Sequence, residues 1–328
     1  MAEFGVQVSN LEWQSLRDVA QEVEGLGFHF LTLPDHIVYE GPEREANLQH
    51  LAYDPIMQAA VAAEATKRLR IGHLVLCNLF RHPVFTAQAL VSLDRLSAGR
   101  AFLGLGSGWT ETEYRMTGIP FPAIKPRLEM LDEALTVIRM LWTQERTTFT
   151  GEYYRFRDAI LWPKPQQRPH PPILLGGGGK GLLRIAAKHA DVINIISEVG
   201  RAGYIALENT RLLTEEAFLA KARFVREEAA RHGRDPRKIK VSAVVFQTMI
   251  TDSPAATRAM AESFAGMLRL SPEAVLRFPL FLTGTPEECA AELGRRIREW
   301  ELAEVVFSFP DPTLLRRIGE DILPHVRA

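Results

Sequence analysis

Acid–base chemistry has a clear candidate in the stretch "LPDHIVYEGP", where Asp35 and His36 follow directly on an apolar run. Imidazole is the side chain most easily set for proton transfer near neutral pH. A histidine that merely satisfies a strand end is the alternative, and the residues alone leave both readings open. None of the nine histidines forms an HxH or HExxH pair, so no metal site is expected. The chain also lacks a GxSxG elbow, which removes the commonest hydrolase arrangement. Cys77 and Cys289 lie far apart and are expected as buried thiols in a reducing compartment, not as a disulfide or a metal pair.

A second candidate is "PPILLGGGGKGLLRIAAKHA", residues 171–190, in which an apolar run meets four glycines, a lysine and a helical pattern. A Walker loop ending at Gly179 and Lys180 fails, because Leu174 stands at its first position and Gly181 at its last. A dinucleotide fingerprint starting at Gly104 in "GLGSGWTETEY" fails at its third glycine, where Trp109 stands. What remains is general physics: a glycine-rich strand-to-helix turn presents bare N–H groups at a helix N-terminus, where the dipole favours an anion. A tightly packed turn without a ligand fits the same residues.

The elements that must position these groups alternate. Strand-like runs occur at 4–9, 28–34, 70–77, 100–106, 172–176, 191–196, 240–250 and 304–309, with helical patterns between them. Asp54, Ser253, Ser271, Thr285 and Asp311 each precede a proline, which places a capping oxygen before a residue suited to the first helical turn. Thr285 and Glu288 have the spacing of a capping box. Leu128, Leu131, Leu135, Ile138 and Trp142 share one face of a helix over about 126–142. Eight such units predict an α/β fold, a (β/α)8 TIM barrel forming one domain over residues 1–328; an open doubly wound sheet is the second choice. Long connections at 35–53, 107–125 and 197–213 all follow strand C-termini, the functional rim of a barrel. The insertion 143–171 reads as a surface hairpin and a proline-stiffened connector.

Composition sets outer bounds. With 46% hydrophobic and 24% charged residues the chain can bury a large core, and 39 basic against 40 acidic residues leave a net charge of -1. No overall field points to nucleic acid or an anionic membrane. "MAEFGVQVSNLEW" has no charged leader with an apolar core, and no apolar run reaches the roughly 18 residues of a membrane span, so a soluble cytoplasmic protein is expected.

Taken in order, the blocks "LPDHI", "LRIGHLVLCNLFRHPV", "LDRLSAGRAFLGLGSGWTETEYRMTGIPFP", "PPILLGGGG" and "AAKHADVINI" resemble the luciferase-like monooxygenase superfamily, in its branch that uses the deazaflavin coenzyme F420. The resemblance implies a barrel carrying the ring at its rim, with hydride passing between ring and substrate. It implies a cis peptide at Leu74–Val75 backing the ring, with Asp35, Cys77 and Asn78 beside it. Gly177, Gly178, Gly179 and Lys180 would hold a cofactor phosphate, while Gly106 and Gly108 border the ring. His36 would transfer the proton, and Phe80, Trp109 and Tyr114 would wall the substrate. Arg81 and His82 would either meet anionic cofactor groups or form a structural salt bridge.

Sugar-phosphate-oxidising relatives carry a glutamate where Trp109 stands, so the resemblance implies a flatter, more apolar substrate than glucose 6-phosphate. It also implies a homodimer. Two further readings remain: an FMN-dependent monooxygenase that consumes oxygen, and a barrel that binds a ligand without catalysis.

Overall fold

Runs rich in Val, Ile, Leu and Phe become strands here because a barrel buries both faces of each, which rewards continuous apolar sequence over alternation. The computed structural model describes residues 2–9, 11–38, 52–199 and 207–327. Its strands are β1 (Glu3–Gln7), β2 (Phe30–Leu33), β3 (Arg70–His73), β4 (Leu76–Cys77), β5 (Leu103–Gly106), β6 (Thr147–Thr150), β7 (Arg155–Ala159), β8 (Ile173–Gly177), β9 (Val192–Ile195), β10 (Lys240–Val245), β11 (Gln247–Ile250), β12 (Phe281–Gly284) and β13 (Leu302–Ser308). Its helices are α1 (Trp13–Gly25), α2 (Pro55–Ala65), α3 (Pro83–Leu96), α4 (Glu111–Thr117), α5 (Ile124–Thr143), α6 (Lys180–His189), α7 (Leu207–Thr210), α8 (Glu215–Arg231), α9 (Pro254–Leu268), α10 (Pro272–Leu276), α11 (Pro286–Glu299) and α12 (Pro312–Arg317).

The main sheet runs β3-β2-β1-β13-β10-β9-β8-β5-β4, parallel throughout. β3 and β4 are halves of one stave, parted at Leu74 and Val75, whose peptide bond is cis as the resemblance implies. β5 pairs with β4, and Ala101, just before β5, bridges in parallel to Ile71 of β3, which closes the ring. The result is a (β/α)8 barrel of eight staves, and closure rules out the open sheet. Gln7 spans its seam: Nε2 donates to the Leu74 carbonyl (2.6 Å), and Oε1 accepts from the Ser308 hydroxyl (2.8 Å).

All five caps expected before prolines are present, with Asp54, Ser253, Ser271, Thr285 and Asp311 each accepting from a first-turn N–H. The capping box between Thr285 and Glu288 is complete. On α5, Leu131, Leu135, Ile138 and Trp142 are buried, whereas Leu128 is half-buried at the cavity described below. The 143–171 insertion contains the expected hairpin, β6 antiparallel to β7, and its connector has cis bonds before Pro163 and Pro169.

One expected strand divides. The run 240–250 leaves the barrel at Phe246, whose N–H bonds to the Leu280 carbonyl (2.8 Å), so β11 pairs with β12 in a separate ribbon. Of the three long rim connections, 107–125 is described in full; residues 39–51 of the first and 200–206 of the third lie outside the described residues. Among the described residues, no helix is long and apolar enough to cross a membrane.

Candidate active site

The C-terminal ends of the staves enclose a cavity of about 850 Å³. Its wall brings together most of the residues singled out in the sequence: Asp35, His36, Leu74, Val75, Cys77, Phe80, Gly106, Gly108, Trp109, Tyr114, Gly177, Gly178 and Gly179. Asn78 and Lys180 do not line it. Asn78 is buried with its amide toward the Tyr154 hydroxyl (3.4 Å), and Lys180 is exposed at the start of α6.

His36 follows β2, and its Nδ1 meets Glu113 Oε2 at 3.2 Å. Glu113 sits buried on α4, and its other oxygen accepts from the N–H groups of Ile37 (2.6 Å) and Val38 (3.2 Å). One carboxylate thus holds both the imidazole and the backbone that follows it. Trp109 meets the His36 ring edge-on, at 5.6 Å between centroids. This geometry suits an imidazole that exchanges a proton with a bound molecule while a buried anion fixes its tautomer.

Asp35 points the other way. Its Oδ2 accepts from the Cys77 N–H (2.8 Å) and from Arg81 (2.6 Å), which also reaches Asp54 (3.0 Å). Burial pushes the Asp35 carboxyl up despite the pull of Arg81, whose guanidinium is raised in turn by Asp35 and Asp54 against its own burial. Arg81 therefore belongs to a structural salt bridge. His82 caps α3, accepting from the Val84 N–H (3.3 Å), with its ring against Tyr154 and Phe156.

Cys77 and Tyr114 close the floor, with Sγ and the hydroxyl 2.8 Å apart. Burial pushes the Cys77 thiol up to about 11 and raises the Tyr114 phenol, so both stay protonated at neutral pH. Gly108 holds φ +77, and a Cβ there would stand 2.0 Å from the Tyr114 hydroxyl, so only glycine fits. The Gly108 carbonyl accepts from Arg127 (2.6 Å), whose guanidinium lies 4.0 Å over the Phe121 ring.

The glycine quartet has two different explanations along its length. A Cβ on Gly178 would stand 2.1 Å from the Ile196 carbonyl, so packing against the end of β9 already requires glycine. Gly179 is different: nothing lies within 4 Å of its Cβ position, and as N-cap of α6 it gives the first turn no side-chain acceptor. Bare N–H groups, space in front of them and the dipole favour an anion.

Among the described residues, three buried polar atoms on residues that line the cavity lack a partner: Arg127 Nε, Asn194 Oδ1 and Ser197 Oγ. Two donors and an acceptor, with the α6 terminus and the apolar Leu74–Val75 wall, fit a flat heterocycle bearing amide-like edges and a phosphate. Glu113, Gln7, Arg127 and Asn194 were not anticipated as site residues. Arg127 carried a signal, since it falls four residues before Leu131 on the buried face of α5.

Known proteins resemble the chain in sequence and in fold. An F420-dependent glucose-6-phosphate dehydrogenase of Intrasporangium calvum is 34% identical over 58% of this chain and 56% of its own length. An F420-dependent hydroxymycolic acid dehydrogenase of Mycobacterium tuberculosis is 32% identical over 78% of this chain and 65% of its own. These matches span between half and two thirds of the relatives. The solved structure of an F420-dependent secondary alcohol dehydrogenase with an F420-acetone adduct superposes with a TM-score of 0.76 at 20% identity, covering 100% of this chain and 99% of that one, a likeness of fold. Over residues 2–277 the sequence matches the profile of the luciferase-like monooxygenase family, and the chain belongs to that family.

Proposed function

We propose that the chain is an oxidoreductase that transfers hydride between coenzyme F420 and a small organic substrate, an alcohol or carbonyl compound or an activated C=C or C=N bond. The observation carrying this reading is the opening of the His36–Glu113 pair and the uncapped, glycine-bordered N-terminus of α6 into one cavity. The F420-dependent relatives support the choice of cofactor. Bound there, F420 supplies a ring carbon that accepts or gives up hydride.

The chain's own residues do the rest. The α6 terminus and Arg127 would hold the cofactor's anionic group, and Leu74, Val75 and Gly106 would back its ring. Asn194 and Ser197 offer polar partners to its edge. In the tautomer that donates Nδ1–H to Glu113, His36 exchanges the substrate proton at Nε2. During alcohol oxidation it takes the hydroxyl proton as the C–H bond breaks with its electron pair; in reduction it returns that proton to oxygen. Phe80 and Trp109 align the substrate and exclude water.

Titration of the purified protein with F420 and with FMN tests the cofactor, with F420 expected to bind at least about tenfold more tightly. His36→Ala should then lower hydride transfer roughly a hundred- to ten-thousandfold with cofactor affinity retained. A full rate in that variant across the pH range would refute the proton-transfer role. The family's description as monooxygenases favours one alternative, FMN-dependent oxygenation. Tight FMN binding with substrate-dependent oxygen consumption would establish it, and binding of neither cofactor would favour a non-catalytic barrel.

A further inference from the structure

Three neighbouring staves, β9, β10 and β13, end alike. Shortly beyond each comes an apolar side chain that lines the cavity yet is substantially exposed: Val199 (38%), Phe246 (40%) and Phe309 (47%). Core packing does not account for large apolar groups on a rim. Phe309 also holds φ +49, fixed by its N–H bond to the Gln7 carbonyl (2.7 Å). That conformation is an outlier for an aromatic residue, and glycine would adopt it with less strain. Phe246 is set by the backbone as well, at the bend where β10 gives way to β11.

In a ring of eight staves β10 stands across from the β3–β4 stave, so this arc faces the Leu74–Val75 wall over the mouth of the cavity. Charge is scarce on that side. Among the described residues Arg127 is the only arginine or lysine lining the cavity, and it sits on α5, after β5. Glu198, beside Val199, is paired with Lys221 at 2.7 Å.

We propose that Val199, Phe246 and Phe309 form a specificity subsite for an uncharged alkyl or aryl segment attached to the carbon that exchanges hydride, and that a phosphorylated sugar is refused. This rests on the proposed function for the reacting carbon, but the subsite itself binds apolar ligands whether or not F420 is bound.

The test uses straight-chain secondary alcohols from propan-2-ol to decan-2-ol, with glucose 6-phosphate as the charged probe. F420 binding is measured first and separately by fluorescence titration, so its failure would count against the proposed function alone. With F420 bound, kcat/KM is expected to rise about fourfold per added methylene until the subsite is full. Glucose 6-phosphate is expected to be inert. Phe246→Ala and Phe309→Gly should cut that increment below about twofold while leaving F420 affinity unchanged. Phe309→Gly should unfold at no lower a temperature than the parent, which separates loss of the subsite from loss of the fold. In cofactor-free protein, calorimetry should show decan-2-ol binding with a negative heat-capacity change that both variants abolish; this arm decides should no alcohol be turned over. An alcohol series without chain-length dependence, unchanged decan-2-ol binding in the variants, or turnover of glucose 6-phosphate would overturn the proposal.

Discussion

His36 draws its usefulness from a residue that a linear reading cannot assign to it. Glu113 arrives from α4, after another stave, and spends one oxygen on the imidazole and the other on two backbone N–H groups. Glu113→Gln keeps the shape and removes the charge. It is expected to lower kcat about tenfold or more with a smaller change in KM, as loss of a charge-assisted hydrogen bond implies. Nitrogen-15 spectra of the variant should lose the preference for the Nδ1–H tautomer; an unchanged tautomer would refute the positioning role. The cysteines give a second check at this scale. With burial holding Cys77 at about 11 and Cys289 at about 12, iodoacetamide at pH 8 should leave both unmodified in the native protein and label both in urea. Asp35, His36 and Trp109 were legible because their types announce chemistry or stand out in a motif. Glu113 and Asn194 were not, because their roles depend on neighbours brought from other staves.

Among the elements, the turn into α6 carries the sharpest contrast. Gly178→Ala must push a methyl group against the Ile196 carbonyl and should cost roughly 1–3 kcal/mol of stability by urea unfolding. Gly179→Ala enters open space at an ordinary backbone angle, so its stability should change by less than about 1 kcal/mol. On the proposed function its affinity for F420 should nonetheless fall about tenfold, since the added methyl group occupies the open space proposed to take the anion. If Gly179→Ala leaves cofactor binding intact, the helix terminus is not the anion site. Strands and caps were largely legible, because apolar runs, prolines and capping oxygens act locally: Thr285 and Glu288 need only each other. The fate of 240–250 was not, since a continuous apolar run does not disclose that Phe246 will turn away to pair with the segment after Leu280. Nor did Phe281–Gly284 announce itself as a strand, being a short piece between a proline and a cap.

For the whole molecule, near-neutral net charge leaves pH sensitivity to individual buried groups. His73 is fully buried between β3 and the start of α2, bonded through Nε2 to the Pro55 carbonyl (3.2 Å), and burial lowers its pKa to about 4. Because the unfolded chain takes up this proton near pH 6.5 and the folded one only near pH 4, stability present above pH 6.5 is lost as pH falls through that window. The shift is worth about 3 kcal/mol in total. His73→Gln should flatten the difference in urea midpoint between pH 7 and pH 5, and an equal difference in both proteins would place the sensitivity elsewhere. Gln7 has a consequence at the same scale. Its amide ties the first stave to the last and to the broken third, across nearly the full length of the polypeptide. During synthesis Gln7 can meet Leu74 early, but its second anchor, Ser308, comes last, so a nascent chain stalled before Leu302 has seven staves and an open ring.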